Sequence, residues 1–178
     1  RNINKDELTK LQGAELCLEP GSYKIICWGN PHEYTQLDQC GLFTNGRLHH
    51  LNLSGGTRMP TNSQHYYGSL VTIVSDHGMV EGDIPFYGAH INIEVYIRGM
   101  ASSNIQTDLP VVEAHNLMPQ YNMRMVSSMP FSTTYYPETD YDTNRALSQT
   151  LFQVLRFHDD NPVSVEIKNQ TGESVYTI

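Results

Sequence analysis

The chain has 178 residues, enough to bury a core without disulfide staples. Charged residues make up 17% and the hydrophobic class 39%, so Ser, Thr, Asn, Gln, Tyr and Gly must cover much of the surface, a habit of secreted β-proteins. Eleven Lys and Arg stand against nineteen Asp and Glu, a net charge of -8 with no basic cluster, which argues against nucleic acid or an anionic lipid surface as partner.

Near the start, Asn4-Lys5-Asp6-Glu7 has capping-box spacing, and Leu8 and Leu11 precede Gly13. A short helix from about Lys5 to Gln12 is expected. Pro20-Gly21 then opens Ser22-Tyr23-Lys24-Ile25-Ile26-Cys27-Trp28, closed by Gly29-Asn30-Pro31. This β-branched and aromatic run between turns predicts a buried strand, and it holds the sole tryptophan. Ile25 to Trp28 and Leu70 to Val74 are continuously apolar and suit central strands packed on both sides.

From His90 to Arg98, Ile91, Ile93, Val95 and Ile97 alternate with His90, Asn92, Glu94, Tyr96 and Arg98. Strict period two marks a strand with one face on a core and one on water. Tyr121, Met123 and Met125 alternate likewise, as do Val163, Val165 and Ile167. Ser127 to Arg145, dense in Ser, Thr, Tyr, Pro and Asp, reads as a long surface loop and a domain boundary. The expected units are residues 1-143, a β-sandwich, and 144-178, the first strands of a second β-domain. Leu147, Leu151, Val154 and Leu155 fit helical spacing, while Leu151 to Phe157 also suits a strand; periodicity leaves both open. Frequent turns at Pro20-Gly21, Asn45-Gly46, Gly55-Gly56, Asp76-His77-Gly78 and Thr171-Gly172 favour an antiparallel sandwich or barrel.

His49, His50, His65, His77 and His90 invite a metal-dependent hydrolase reading, but no helix-borne pair such as H-E-x-x-H occurs, and adjacent His49 and His50 would point to opposite faces of a strand. Asp140-Tyr141-Asp142-Thr143-Asn144 resembles the opening of a calcium loop; Arg145 stands where a glycine is needed and Leu151 where a bidentate Glu belongs. A looser calcium site from Glu138, Asp140 and Asp142 stays open. There is no G-x-S-x-G, S-x-x-K or phosphate-cradling glycine motif. No catalytic, cofactor-binding or metal-ligating residue is therefore assigned, and no enzyme activity is expected. Cys17, Cys27 and Cys40 are read either as small buried hydrophobes or as one disulfide with a leftover thiol, with no pairing preferred. Asn52-Leu53-Ser54 and Asn169-Gln170-Thr171 fit the glycosylation pattern at chance frequency. Tyr66-Tyr67 and Tyr135-Tyr136 either pack or make sugar or protein contacts.

No apolar run approaches the roughly 18 residues of a membrane helix, and Arg1-Asn2-Ile3-Asn4-Lys5 is not an apolar signal segment.

The Gly21 to Asn30 pattern, G-x-Y-x-(apolar)-(apolar)-x-W-G, resembles that of the fimbrillin-associated anchor and accessory proteins of type V pili, surface lipoproteins of Gram-negative gut and oral anaerobes. His65-Tyr66-Tyr67-Gly68, His90 to Arg98, and Leu151 to Phe157 with Val163 to Ile167 and Thr171-Gly172-Glu173 resemble later motifs of that family in the same order. The last favours a strand over a helix there. The resemblance implies a transthyretin-like Greek-key β-sandwich, normally two in tandem, in a non-catalytic protein at the outer membrane's extracellular face. Its implied partners are other pilus subunits, joined by β-strand addition, or host-surface proteins or glycans. The family's lipid-bearing cysteine has no counterpart at Arg1, so membrane attachment is expected only through a lipid anchor outside this chain. The family's second domain continues past Tyr176-Thr177-Ile178, so unpaired strand edges and association through them are expected. A carbohydrate-binding β-sandwich module, using Trp28 and exposed tyrosines, is the alternative.

Overall fold

A computed structural model describes residues 3-11, 13-30, 35-39, 46-50, 58-99, 109-124, 132-157 and 162-178, with the backbone alone at 11, 49 and 50. Helix α1, Lys5–Leu11, begins where the Asn4 side chain accepts the Glu7 amide at 2.8 Å, pairing one of the first turn's free donors. The other regular elements are strands: β1 (Gly21–Gly29), β2 (Thr35–Asp38), β3 (Arg47–His50), β4 (Tyr66–Val74), β5 (Tyr87–Gly88), β6 (His90–Ile97), β7 (Val111–Leu117), β8 (Gln120–Asn122), β9 (Thr133–Tyr135), β10 (Thr139–Asp142), β11 (Leu147–Leu155), β12 (Ser164–Lys168) and β13 (Ser174–Thr177). They form four antiparallel sheets, ordered β1-β4-β5, β2-β3-β8, β10-β11-β6 and β13-β12-β7-β9.

Two of these sheets make a sandwich. The alternation of β6 turns Ile91, Ile93 and Val95 inward while Asn92, Glu94 and Tyr96 face water. Across the core they meet Ala114 and Leu117 of β7, Tyr135 of β9 and Val165 of β12, with Phe152 and Val154 of β11 beside them. A second core lies between the other two sheets, where Leu48, Ala89, Tyr121 and Leu155 pack with Trp28, Leu37 and Tyr67. The buried Tyr121 hydroxyl donates to the carbonyls of Ala89, at 3.1 Å, and Arg156, which ties the two cores together at the ends of β6 and β11.

The ambiguous segment is a strand. In β11, Phe152 and Val154 fill the core while Leu151 stands 54% exposed, a period-two placement that a helix could not give. The stretch expected to be a loop holds β9, β10 and the turn into β11, because Thr133 and Tyr135 pair with β7, and Thr139 to Asp142 pair with Thr150 to Leu147. The β10-β11 hairpin spans the point 143/144 at which the sequence places a domain boundary; β11 pairs with β6 through eight residues, and β12 pairs with β7.

Leu70 to Val74 does not pack on both sides. Strands β1 and β4 run in register for nine pairs, from Gly21↔Val74 to Gly29↔Tyr66. Only the Trp28-Tyr67 end is covered by the second core, so Val71 and Ile73 are 74% and 71% exposed. Ile25 to Trp28 is likewise half-buried, not enclosed. The opposite face of the ribbon is covered near its middle by the segment around Gly82 and Ile84, which lies against Leu70 and Gly68.

Candidate assembly edge

Strand β13 is an edge of its sheet, and all four of its residues are exposed. Its pairing with β12 sets Tyr176 opposite the buried Ile167. Ile178 exchanges both backbone hydrogen bonds with Val165, at 2.9 and 3.0 Å. Opposed residues share a face, so Tyr176 and Ile178 extend the rows Val112-Ile167-Tyr176 and Ala114-Val165-Ile178 on the side of the sheet that carries the core. Yet they are 60% and 71% exposed, whereas Val112 and Ala114 are fully buried.

The cause is the width of the opposing sheet. Among the described residues it has three strands, β10-β11-β6, against four in the other. Val95 and Ile97 of β6 pack on Val112, Val165 and Ile167, and among the described residues β6 pairs with β11 alone. The core face therefore projects one strand beyond β6, beside a β6 edge able to receive main-chain hydrogen bonds. An extended segment paired to β6 would lie over Tyr176 and Ile178. Such a segment gains hydrogen bonds from its backbone and apolar burial from alternate side chains.

The residues singled out by sequence take other places. Trp28 is half-buried, edge-on to Tyr67 with centroids 5.2 Å apart, and is not a free platform. His65 is fully buried, with Nε2 2.7 Å from Thr35 Oγ1, and its carbonyl lies 2.9 Å from His90 Nδ1. His77 is exposed in a turn whose Gly78 has φ of 103°, and the side chains of His49 and His50 lie outside the described residues. Asp142 Oδ1 accepts the amides of Asn144 and Arg145 at 2.9 and 3.1 Å, capping the β10-β11 turn; Glu138, Asp140 and Asp142 do not converge as a ligand set among the described residues.

Cys17 is exposed and Cys27 half-buried, both as free thiols, with burial pushing the Cys27 thiol up; Cys40 lies outside the described residues. Asn169 closes the β12-β13 turn by accepting the Glu173 amide at 2.9 Å and the Thr171 hydroxyl at 2.7 Å. Asn52 lies outside the described residues. Tyr135 is buried, and Tyr136 lies under the Arg58 guanidinium, 4.7 Å from the ring centroid.

A polar cluster escaped sequence reading. On the outer face of β7 and β12, Glu113 stands opposite Glu166, with His115 and Lys168 beside them. Its only signal in the sequence is the polar alternate positions of Val111–Leu117 and Ser164–Lys168. The Glu166 carboxyl is held below its ordinary range by the Ser174 hydroxyl first and by Lys168 and His115 after it, while the Glu113 carboxylate raises Lys168.

Solved structures share this fold. A candidate adhesin of Bacteroides thetaiotaomicron superposes with a TM-score of 0.67 at 15% identity, covering 93% of this chain and 61% of its own. A candidate adhesin of Bacteroides ovatus gives 0.71 at 12%, covering 90% and 57%. A B. thetaiotaomicron protein described as a candidate polysaccharide binder gives 0.69 at 11%, covering 92% and 60%. The chain thus spans about three fifths of the length of these relatives. No curated protein matches it. Matched along residues 1-178, the chain belongs to the family of fimbrillin-A associated anchor proteins Mfa1 and Mfa2.

Proposed function

We propose that this chain is part of a non-catalytic fimbrial accessory protein at the cell surface, which joins other pilus subunits by β-strand addition. The observation that carries this reading is the pair Tyr176 and Ile178, aligned with buried Ile167 and Val165 yet left open to solvent beside the β6 edge. Membership of a fimbrial anchor family supports it. The topology is proposed to be that of a transthyretin-like Greek-key sandwich with the start of a second β-domain, with outer-membrane attachment by a lipid anchor outside this chain. Tyr176→Asp with Ile178→Asp places two charges where an incoming strand would bury apolar side chains. Capture of purified pilus subunits by the wild type, and its loss in this double variant with thermal melting unchanged, is the expected result. Equal capture by both proteins would remove the proposal.

A second reading is glycan binding. It is favoured by an open groove of about 250 Å³ lined by Arg58, Pro110, Tyr136, Glu138, Thr139 and Gln170, an aromatic ring among planar polar groups. Tyr136→Ala should then abolish binding on a glycan array; an array without any wild-type signal contradicts it.

A further inference from the structure

Directly opposed carboxylates on neighbouring strands repel unless a cation lies between them. Glu113 and Glu166 are such a pair, and their ligand oxygens lie within 4.8 Å of each other and of the His115 imidazole on the outer face. His115 Nε2 lies 3.1 Å from Glu166 Oε2 and 3.5 Å from Glu113 Oε2. From the other side Lys168 Nζ reaches the same two oxygens, at 2.8 Å from Glu113 and 3.2 Å from Glu166. We propose that Glu113, His115 and Glu166 form a site for a divalent transition metal of the Zn²⁺ type, in which Lys168 holds the metal's place until displaced.

Three features carry this. The first is spacing: ligands about 2.0-2.1 Å from a tetrahedral zinc are about 3.3 Å from one another, and the two imidazole-carboxylate separations bracket that edge. The second is aim. His115 Nδ1 is 3.0 Å from Thr134 Oγ1 on the neighbouring strand, which fixes the ring and leaves Nε2 directed at the carboxylates. An outer partner on the second ring nitrogen is how metal-binding histidines are usually held.

The third is charge. Two glutamates and one lysine sum to one negative charge, so the resident cation is one positive charge short. Exchanging the Lys168 ammonium for a divalent ion brings the metal and its carboxylates to neutrality. Lys168 is 22% exposed on a flexible stem and can swing to solvent. One imidazole with two carboxylates suits Zn²⁺ better than the all-oxygen shells of Ca²⁺ or Mg²⁺, and the fourth position is left for water. The cluster lies on the outer face of the sheet, so its metal binding is independent of the assembly reading.

The test is titration of the purified chain with Co²⁺, followed by its visible absorption, and with Zn²⁺ by calorimetry. The expected wild-type result is one tight equivalent and a tetrahedral Co²⁺ spectrum that Zn²⁺ abolishes. His115→Gln or Glu113→Gln should weaken binding at least tenfold, whereas Lys168→Gln, by removing the competing cation, should tighten it several-fold. Thermal melts of the metal-free variants establish that each is folded. Binding unchanged in His115→Gln would place the metal on other histidines and overturn the proposal. So would unchanged or weaker binding in Lys168→Gln, or no saturable binding by the wild type at millimolar metal.

Discussion

Trp28 stacks on Tyr121, with ring centroids 5.9 Å and planes 23° apart. The contact joins the sole tryptophan of β1 to the residue of β8 whose hydroxyl closes the backbone ends of β6 and β11. Removing the indole empties the centre of the second core. Trp28→Ala should cost about 3 kcal/mol in denaturant unfolding, the low end for a large aromatic because the ring is half-buried. Among the described residues, buried Trp28 Nε1 has no hydrogen-bond partner. Trp28→Phe, which deletes that donor, should therefore cost clearly less.

Tyr121→Phe removes the hydroxyl that reaches the carbonyls of Ala89 and Arg156. Loss of about 1 kcal/mol is expected, since the Ala89 carbonyl keeps the Arg156 amide at 3.1 Å, and stability measured against Tyr67→Phe as a control checks it.

Burial pushes the hydroxyls of Tyr121 and Tyr135 well above the ordinary phenol range. Both are neutral in the folded chain where an unfolded tyrosine, near pH 10, begins to ionise. A group whose folded pKa is raised keeps its contribution below the unfolded pKa and loses it as pH rises toward the folded one. Stability should therefore be insensitive to these groups below about pH 10 and fall above it by about 1.4 kcal/mol per pH unit for each. Chemical denaturation between pH 9 and 12 should show a shallower fall in Tyr121→Phe than in wild type.

Gly68 lies where a Cβ would meet Ile84 Cγ2 at 2.5 Å and the Pro85 carbonyl oxygen at 2.8 Å. Backbone cannot move aside as a side-chain end can, so Gly68→Ala should cost about 1-3 kcal/mol by overpacking. At Gly82 the obstacle is the flexible end of Leu70, 2.7 Å away. Gly82→Ala should be the milder change, and melting the two variants side by side decides it.

Much of this was legible because it is local. The Asn4 cap, the His90 to Ile97 alternation and the turns at Gly78 and Gly172 follow from spacing and backbone freedom alone. The close approach at Gly68 explains in physical terms the glycine that ends His65-Tyr66-Tyr67-Gly68. Partners distant in sequence were not legible: β11 against β6, and β12 against β7, decide that residues either side of 143/144 share one core. Exposure of Val71 and Ile73 was hidden for the same reason, since the length of the covering sheet is not encoded in the run it fails to cover. The Glu113-His115-Glu166 cluster arises only from register across two strands.

The central claim is that the open core face of β13 and the β6 edge left unpaired among the described residues receive a partner's strand. Amide hydrogen exchange of the chain, alone and with purified pilus subunits, tests it most directly. The account predicts strong new protection within 90-97 and 174-178, with little change in the β1-β4 ribbon. Protection confined to β1 and β4, with β6 and β13 exchanging as in the free chain, would contradict it.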